Sequence, residues 1–281
     1  MPHRLAVIAC AVLETEVEHL LRGAEHVEHL EMMQQGLHND PPRLRGELQL
    51  AVDRIEAEHP RVEAIVLVYG LCSRGTEGVR AARCRLVIAR AHDCITHLLG
   101  SRQAYARYVA EHPGTYWYSP GWNRHHSPPG PERYHRLLAE YRQRFGEDNA
   151  EYLMQTEQHW FQTYTRATYV HLTIGATDAD VAYTKRCADW LNWTYDEQAG
   201  DPALLRDLLT GPWDDDRFLV LEPGQSLRMT GDDRIIAATP ATPATPDDAG
   251  ADPGATGGLS ASAAPAPARP RSAHGATHAP R

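Results

Sequence analysis

The first 236 residues alternate short apolar runs with longer stretches in which apolar residues recur every three or four positions. The short runs predict buried strands, and the longer stretches predict amphipathic helices. Regular alternation of the two is typical of βα units, which build a mostly parallel sheet flanked by helices. The pattern therefore predicts an α/β fold for residues 1–236.

Seven segments have strand character and about seven have helical character. The strand candidates are 4–10, 26–32, 62–70, 85–90, the first half of 115–122, 167–173 and 217–225. The helix candidates are 14–23, 43–58, 76–82, 94–112, 131–164 with a break at Gly146, 178–193 and 202–211. One sheet and two lobes are both compatible with this order, and the helical insert at 131–164 suggests a hinge or a second lobe.

The composition changes after Ile236. From Ala237 to Arg281, alanine, proline, threonine, glycine and serine dominate, and the chain includes the near-repeat ATPATPATP. Such a segment lacks the branched and aromatic side chains that offset the entropy of ordering. The sequence predicts a disordered C-terminal tail over 237–281.

The net charge and the length of the longest apolar stretches argue against two classes of partner, nucleic acids and membranes. The chain has 28 basic and 37 acidic residues, a net charge of −9, and no long basic tract, so a general nucleic-acid partner is not expected. No apolar stretch approaches the roughly 20 residues that cross a bilayer, so no membrane partner is expected. Acidic residues follow the first apolar run where a signal peptide would have a cleavage site, which favours a mature cytoplasmic protein.

Five cysteines are too few for a disulfide scaffold in 281 residues, and their number is odd. Three of them, Cys10, Cys72 and Cys94, each lie just beyond the C-terminal end of a predicted strand, and His92 precedes Cys94 by two residues. Because the carboxyl ends of parallel strands border one crevice, these residues can converge. They form a candidate Cys₃ or Cys₃His metal set, for zinc or for an iron–sulfur cluster.

The alternative is that these cysteines are small buried hydrophobic residues. Cys84 begins a strand at its other end and Cys187 lies within a helix, so both are expected to be structural. If thiolates do hold zinc, the site can be closed and structural, or it can keep an open position that activates a bound thiol. The spacing of the cysteines leaves these choices open.

The loop around Cys72 is a candidate for binding an anionic ligand or cofactor. Its candidate residues are Gly70, Ser73, Arg74, Gly75 and Thr76, between a strand and a predicted helix start. Backbone N–H groups at a helix N-terminus bind phosphate or carboxylate. The loop matches neither G-x-G-x-x-G nor G-x-x-x-x-G-K-[ST], so a glycine-rich turn before a capped helix is the alternative.

Two further features could line the same crevice. His38 follows a strand candidate, and with His92 it is a candidate for proton transfer near neutral pH. The segment 115–126 is rich in aromatic residues and histidine, which suits a pocket for a flat or apolar ligand. Aromatic residues in a strand are also common in cores.

Six sequence motifs together resemble the DUF1638 family. In chain order they are LAVIACAVLETEVEHLL, GLHNDPPRL, YGLCSRGTEG, LVIARAHDCITHLLGSRQAY, PGTYWYSPGW and GDPALLRDLLTGPWDDDRFLVLEPG, and they span nearly all of 4–225. The resemblance implies an α/β protein of bacteria and methanogenic archaea, associated with genes for corrinoid-dependent methyl transfer. It implies one-carbon metabolism, with a corrinoid, a corrinoid protein or a methyltransferase as possible partner.

Three functions follow as hypotheses. The first is a metal–thiolate protein that binds a small anionic or thiol ligand, as an enzyme or accessory factor. The second is a noncatalytic module that binds a small molecule, a corrinoid or a corrinoid partner, with structural cysteines. The third is a protein that is stabilised by its metal and has no chemistry of its own.

Overall fold

The protein is described by a computed structural model that covers residues 4–159 and 161–240. Its strands are β1 (Leu5–Cys10), β2 (Val27–Met33), β3 (Ala64–Val68), β4 (Arg85–Ala89), β5 (Thr115–Tyr118), β6 (Arg166–His171), β7 (Thr194–Ala199), β8 (Phe218–Leu221), β9 (Leu227–Met229) and β10 (Ile236–Ala238). Its helices are α1 (Glu14–Leu20), α2 (Pro41–Glu58), α3 (Cys94–Leu99), α4 (Arg102–Glu111), α5 (Pro120–His125), α6 (Pro131–Phe145), α7 (Glu147–His159), α8 (Asp178–Leu191) and α9 (Ala203–Thr210). Short 3₁₀ turns occupy Ala11–Leu13 and Leu37–Asn39.

The main sheet has five strands in the order β2-β1-β3-β4-β8. The first four are parallel, and β8 runs antiparallel to β4 at the edge. Every residue of β1 and β3 is buried, which explains their continuous apolar sequences LAVIAC and AIVLV. Helix α2 contributes Leu44, Leu48 and Val52 to the same core.

A second, smaller sheet shows that the strands do not all belong to one sheet. We call the two sheets with their packed helices the two lobes. Strands β5, β6 and β7 form a three-stranded parallel sheet, against which α8 packs. Its separate core includes Tyr118, Tyr169 and Cys187. Both sheets lie within one compact unit of the chain. The mostly parallel α/β architecture predicted from the sequence is confirmed, and the strands form two lobes.

The helical insert is also confirmed. It consists of α6 and α7, and Gly146 with φ of 81° separates them, as the sequence predicts. No residue of α6 is buried, so this helix packs only through half-exposed side chains.

Several boundaries differ from the prediction. No helix forms at 76–82, because residues 72–78 make consecutive turns and Gly78 adopts φ of 88°. The predicted helix 94–112 is two helices, since Gly100 has φ of 81° and Ser101 caps α4. The turn expected after β5 is the short helix α5, capped by Ser119.

Three strands were not predicted, and the predicted start of the C-terminal tail was wrong. Strand β7 reads TYDEQA and lies at the edge of its sheet, so it shows no apolar run. The short strands β9 and β10 pair with each other, and Ala237 and Ala238 of β10 belong to the segment assigned to the tail. The rest of that tail from residue 241 lies outside the described residues.

Candidate functional site

The three cysteines at strand exits come together. Strands β1, β3 and β4 are neighbours in the main sheet, and Cys10 ends β1, Cys72 follows β3, and Cys94 begins α3 after β4. The Cys94 thiol lies close enough to the thiols of both Cys10 and Cys72 for each of them to affect its pKa. Cys10 and Cys72 are buried, Cys94 is half-buried, and all three are free thiols. We call them the thiol cluster.

A left-handed turn carries Cys72. Cys72, Ser73 and Arg74 have φ of 46°, 56° and 68°, a run of three non-glycine residues in the left-handed region. Each such residue costs of the order of 1 to 3 kcal/mol and persists only where surrounding contacts impose it. The contacts are present, since the Cys72 N–H donates to the His92 carbonyl at 2.9 Å and the Leu71 N–H to the Ala91 carbonyl at 2.8 Å. These bonds join the loop of Cys72 to the loop of Cys94.

Two glycines permit the close packing of this loop. A β-carbon on Gly70 would lie 2.6 Å from the Asp93 backbone nitrogen, and one on Gly75 would lie 2.5 Å from the Leu44 Cδ2 atom. Neither position can hold a side chain without movement of its neighbours. Gly70 thus lets two backbone segments approach, and Gly75 makes room for the Leu44 side chain.

The thiol cluster favours one ionised sulfur. The neighbouring Cys94 thiol lowers the pKa of Cys10 despite the opposing effect of burial, and the Val12 backbone N–H and the Tyr69 hydroxyl lower it further. The pKa of Cys94 is raised well above its ordinary value, first by Cys10, then by Cys72 and by burial. Cys10 is therefore the cysteine of this pair that is stabilised as a thiolate.

Tyr69, the residue after β3, places an unpaired hydroxyl at the thiol cluster. The side chain is 2% exposed, and its hydroxyl has no hydrogen-bond partner. Its pKa is raised well above the ordinary value by burial and then by the neighbouring sulfurs of Cys10, Cys94 and Cys72. The hydroxyl also lowers the pKa of Cys10, so the Cys10 sulfur is the acceptor that it approaches, without the geometry of a regular hydrogen bond.

A cavity of about 300 Å³ lies beside the thiol cluster. All three cysteines line it, together with Ser73, Asp93 and both candidate histidines, His38 and His92. Four aromatic residues of the second lobe also line it: Tyr116, Trp117, Trp122 and Tyr164. The convergence that strand order predicts for the cysteines and histidines is present in one cavity.

The two histidines differ in environment. His38 lies on the 3₁₀ turn Leu37–Asn39, stacks on Trp122 with ring centroids 6.0 Å apart, and has its pKa lowered by burial against the opposing charge of Asp93. It is therefore neutral at pH 7 and has a nitrogen able to accept a proton or bind a metal. His92 is exposed, and its backbone carbonyl holds Cys72.

Asp93 and Tyr105 support the loop and were not singled out in the sequence. One Asp93 oxygen caps α3 by accepting the Ile95 N–H at 3.0 Å, and the other accepts the Tyr105 hydroxyl at 3.0 Å. Burial raises the pKa of Asp93 despite these bonds. An aspartate directly before a helix is a recognisable cap signal, whereas the pairing with Tyr105 requires the folded chain.

The predicted anion-binding loop does not have the geometry on which that prediction rests, because no helix begins at Thr76. Of its five candidate residues, Ser73 lines the cavity. Arg74 is exposed and pairs with Glu77 at 2.7 Å. The Thr76 hydroxyl is buried and donates to the Gly70 carbonyl at 3.2 Å.

The remaining cysteines and aromatic residues have packing roles. The Cys84 thiol donates to the Val62 carbonyl at 3.2 Å, and the buried Cys187 sulfur lies against Gly130. Tyr118 is fully buried in the second core, and His125 pairs with Glu14 at 2.8 Å.

Two features are absent from the described residues, 4–159 and 161–240. No three His, Cys, Asp or Glu side chains there have the arrangement of a ready-made metal site. The three neighbouring thiols would have to rotate towards a common point to share an ion. Nor is any helix in this part of the chain both long enough and apolar enough to span a bilayer.

Comparison with known protein families gives one match. The family model described as "Protein of unknown function (DUF1638)" matches residues 32–209. No curated protein and no solved structure matches the chain. The matched range contains Cys72, Cys94, His38 and His92, whereas Cys10 lies before it.

Proposed function

The chain belongs to the DUF1638 family of proteins of unknown function, and we propose that it is a metal–thiolate protein whose ligands are Cys10, Cys72 and Cys94. The observation that carries the proposal is the contact of Cys94 with both other thiols at the exits of three adjacent strands. Cysteines that serve only as core residues have no need to meet sulfur to sulfur beside a cavity.

The donor set fits a single zinc ion better than an iron–sulfur cluster. Zinc binds sulfur at about 2.3 Å, so tetrahedral thiolates lie roughly 3.8 Å apart, and the three neighbouring thiols would have to turn towards one point to reach that arrangement. The thiolates of a [4Fe–4S] cluster bind different iron atoms and are further apart. His92, which lines the same cavity, is the candidate for a fourth ligand.

Each cavity residue would have a distinct role. When bound, the metal would supply Lewis acidity and would lower the pKa of a thiol ligand. Neutral His38 would accept the proton that this ligand gives up. The Tyr69 hydroxyl would donate to a sulfur at the metal, which would satisfy its unpaired hydrogen. Ser73 would orient the ligand from the cavity wall.

We propose small-molecule activation in methyl transfer or one-carbon metabolism as the reaction class, on the strength of the family resemblance. A cavity of about 300 Å³ is much smaller than a corrin macrocycle. A corrinoid would therefore be presented at the mouth of the cavity by a partner protein. Five free cysteines suit a reducing cytoplasm.

The second candidate is a noncatalytic module that binds a small ligand or a corrinoid partner. The observation in its favour is the absence of a ready-made metal arrangement among the described residues. In this case the thiol cluster remains three neighbouring thiols, and the aromatic residues of the cavity hold the ligand.

Anaerobic purification, elemental analysis and a visible spectrum separate the two candidates. We expect one zinc per chain, lost in Cys72→Ser and in Cys94→Ser. The matched control is Cys84→Ser, because Cys84 is also buried and hydrogen-bonded but lies outside the cavity. Metal-free protein whose stability is unchanged in all three variants would favour the binding module.

A further inference from the structure

Helix α1 belongs to the lobe of the main sheet, and its first residues contact the second lobe. The Glu14 carboxylate lies 2.8 Å from the Nε2 atom of His125 in α5. The Thr15 hydroxyl accepts a hydrogen bond from Arg124 of α5 at 2.6 Å, and Arg124 also donates to the Gly175 carbonyl at 2.7 Å. Because the loop of Gly175 follows β6, α1 contacts two separate segments of the second lobe.

The packing at this contact is tight and extends to the cavity. A β-carbon on Gly175 would lie 2.1 Å from the Thr15 Cγ2 atom, and one on Gly121 of α5 would lie 1.9 Å from the Val12 carbonyl oxygen. Val12, and Trp122 next to Gly121, both line the cavity beside the thiol cluster. A movement of α5 away from α1 and the turn before it would therefore widen the cavity.

Glu16, the third residue of α1, has a fully buried carboxyl group, and neither of its oxygens has a regular hydrogen-bond partner. Arg124 is the charged side chain that acts on it, but the guanidinium donates to the two oxygens named above. Tyr169 of β6 is near enough to sense the charge of Glu16, and its buried hydroxyl is also unpaired. Of the other elements against α1, β1 and the turn Ala11–Leu13 contain no acidic or basic residue, and Arg206 and Asp207 of α9 pair with each other at 3.0 Å.

We infer that ionisation of Glu16 loosens the contact between α1 and the second lobe and so opens the cavity. A protonated carboxyl leaves a neutral group inside this contact. A carboxylate leaves an unpaired charge there, and its cost is relieved if α1 and α5 separate and water reaches it. His125 acts in the same direction, because it attracts Glu14 only while its ring is protonated. No metal takes part in this change.

The pH range of the change follows from the Glu16 carboxyl in the two forms. Burial raises its pKa from 4.5 to about 7 in the closed form, and in an open form that water reaches, its pKa returns to about 4.5. The open form therefore loses the proton first and gains population as the pH rises. The ratio of open to closed protein should increase about 30-fold between pH 5.5 and pH 8.5 and should level off above about pH 8.

Fluorine NMR of the full chain, labelled with 5-fluorotryptophan, measures the opening, because Trp122 lies in α5 at the contact. Its resonance is identified by its loss in Trp122→Phe. In the wild type we expect a second Trp122 resonance whose population, relative to the first, rises about 30-fold from pH 5.5 to pH 8.5. In Glu16→Gln this ratio should change by less than about fivefold, which is the most that an exposed pair such as Glu14 and His125 contributes. A single Trp122 resonance at every pH in the wild type would overturn the inference.

Glu18→Gln is the matched control, because Glu18 is exposed on the same helix, and this variant should keep the full pH dependence. Glu16→Met, which is also uncharged, repeats the test if Glu16→Gln does not fold. Trp213 packs against the core of the main sheet and Trp193 against that of the second sheet, so their resonances should stay unchanged while both lobes remain folded. A pH dependence that persists in the Glu16 variants would overturn the inference. So would one that Trp213 and Trp193 share, because it would indicate unfolding of the lobes.

Discussion

Gly70 and Asp93 approach so closely that a β-carbon on Gly70 would lie 2.6 Å from the Asp93 nitrogen and 2.8 Å from its α-carbon. Both atoms belong to backbone, which cannot rotate away as a side chain can. The contact joins the loop of Cys72 to the loop of Cys94, so the geometry of the thiol cluster depends on a missing side chain.

Gly70→Ala should therefore lower stability and loosen the thiol cluster. Overpacking of this kind costs about 1 to 3 kcal/mol. Urea unfolding measures the loss, and the metal content measured after purification should fall with it. Gly46→Ala is the matched control, because Gly46 lies within helix α2 and a β-carbon there meets nothing within 4 Å. That variant should gain up to about 1 kcal/mol from helix propensity, and equal effects of the two substitutions would contradict the prediction.

Tyr69→Phe should have opposite effects on the metal-free and metal-loaded protein. Removing a buried hydroxyl without a partner relieves a penalty of about 1 to 3 kcal/mol, so the metal-free variant should be more stable. Zinc affinity should fall, because the donor that faces the sulfurs is gone. Urea unfolding and competition with a chromophoric chelator measure the two effects. An increase in stability with unchanged zinc affinity would show that the hydroxyl takes no part in the site.

Glu16→Gln should stabilise the protein at pH 8 and change little at pH 5. Glu16 is fully buried in α1, and neither of its carboxylate oxygens has a regular hydrogen-bond partner. Burial raises its pKa from 4.5 to about 7 against smaller effects of its own backbone N–H and of Arg124. Tyr169, whose buried hydroxyl is also unpaired, is near enough to sense its charge.

The sign follows from which state holds the proton. Between pH 4.5 and 7 the folded protein keeps a proton that the unfolded chain loses, so stability falls as the pH rises through this range. The full cost above pH 7 is about 3 kcal/mol. Urea unfolding at both pH values tests this, with the exposed Glu18→Gln on the same helix as control. A wild-type stability with no fall between pH 5 and pH 8 would refute the prediction.

Gly121→Ala should weaken the contact between the two lobes. A β-carbon on Gly121 in α5 would lie 1.9 Å from the carbonyl oxygen of Val12, which follows β1 of the main sheet. The expected loss is at least about 1 to 3 kcal/mol, because backbone must move. Thermal unfolding gives the loss. Tryptophan fluorescence should also change, since Trp122 adjoins Gly121, and a variant with unchanged midpoint and spectrum would rule out this contact as a support of the lobes.

The buried strands and their mostly parallel arrangement were predictable, because apolar runs such as LAVIAC and AIVLV are stable only inside a sheet that is covered on both faces. The convergence of Cys10, Cys72 and Cys94 followed from that order. The helix predicted at 76–82 failed because the left-handed conformation of Cys72, Ser73 and Arg74 is imposed by bonds to a loop twenty residues away. The local sequence does not indicate these long-range hydrogen bonds.

The role of Tyr69 could not be predicted for a related reason. A tyrosine at a strand end is ordinary in sequence, and only the folded chain reveals that its hydroxyl has sulfurs for neighbours and no partner. Strand β7 escaped detection because its polar residues TYDEQA suit a sheet edge and break the apolar pattern.

Residues of both lobes line the cavity. Binding of a ligand there is therefore coupled to the stability of the whole domain. A ligand that contacts both the thiols and the indoles would bind residues of both sheets at once and so stabilise their contact. At one hundred times its dissociation constant it adds about 2.7 kcal/mol to the folded state. Substitution of Gly121, which does not line the cavity but packs against Val12, would then change the affinity for that ligand as well.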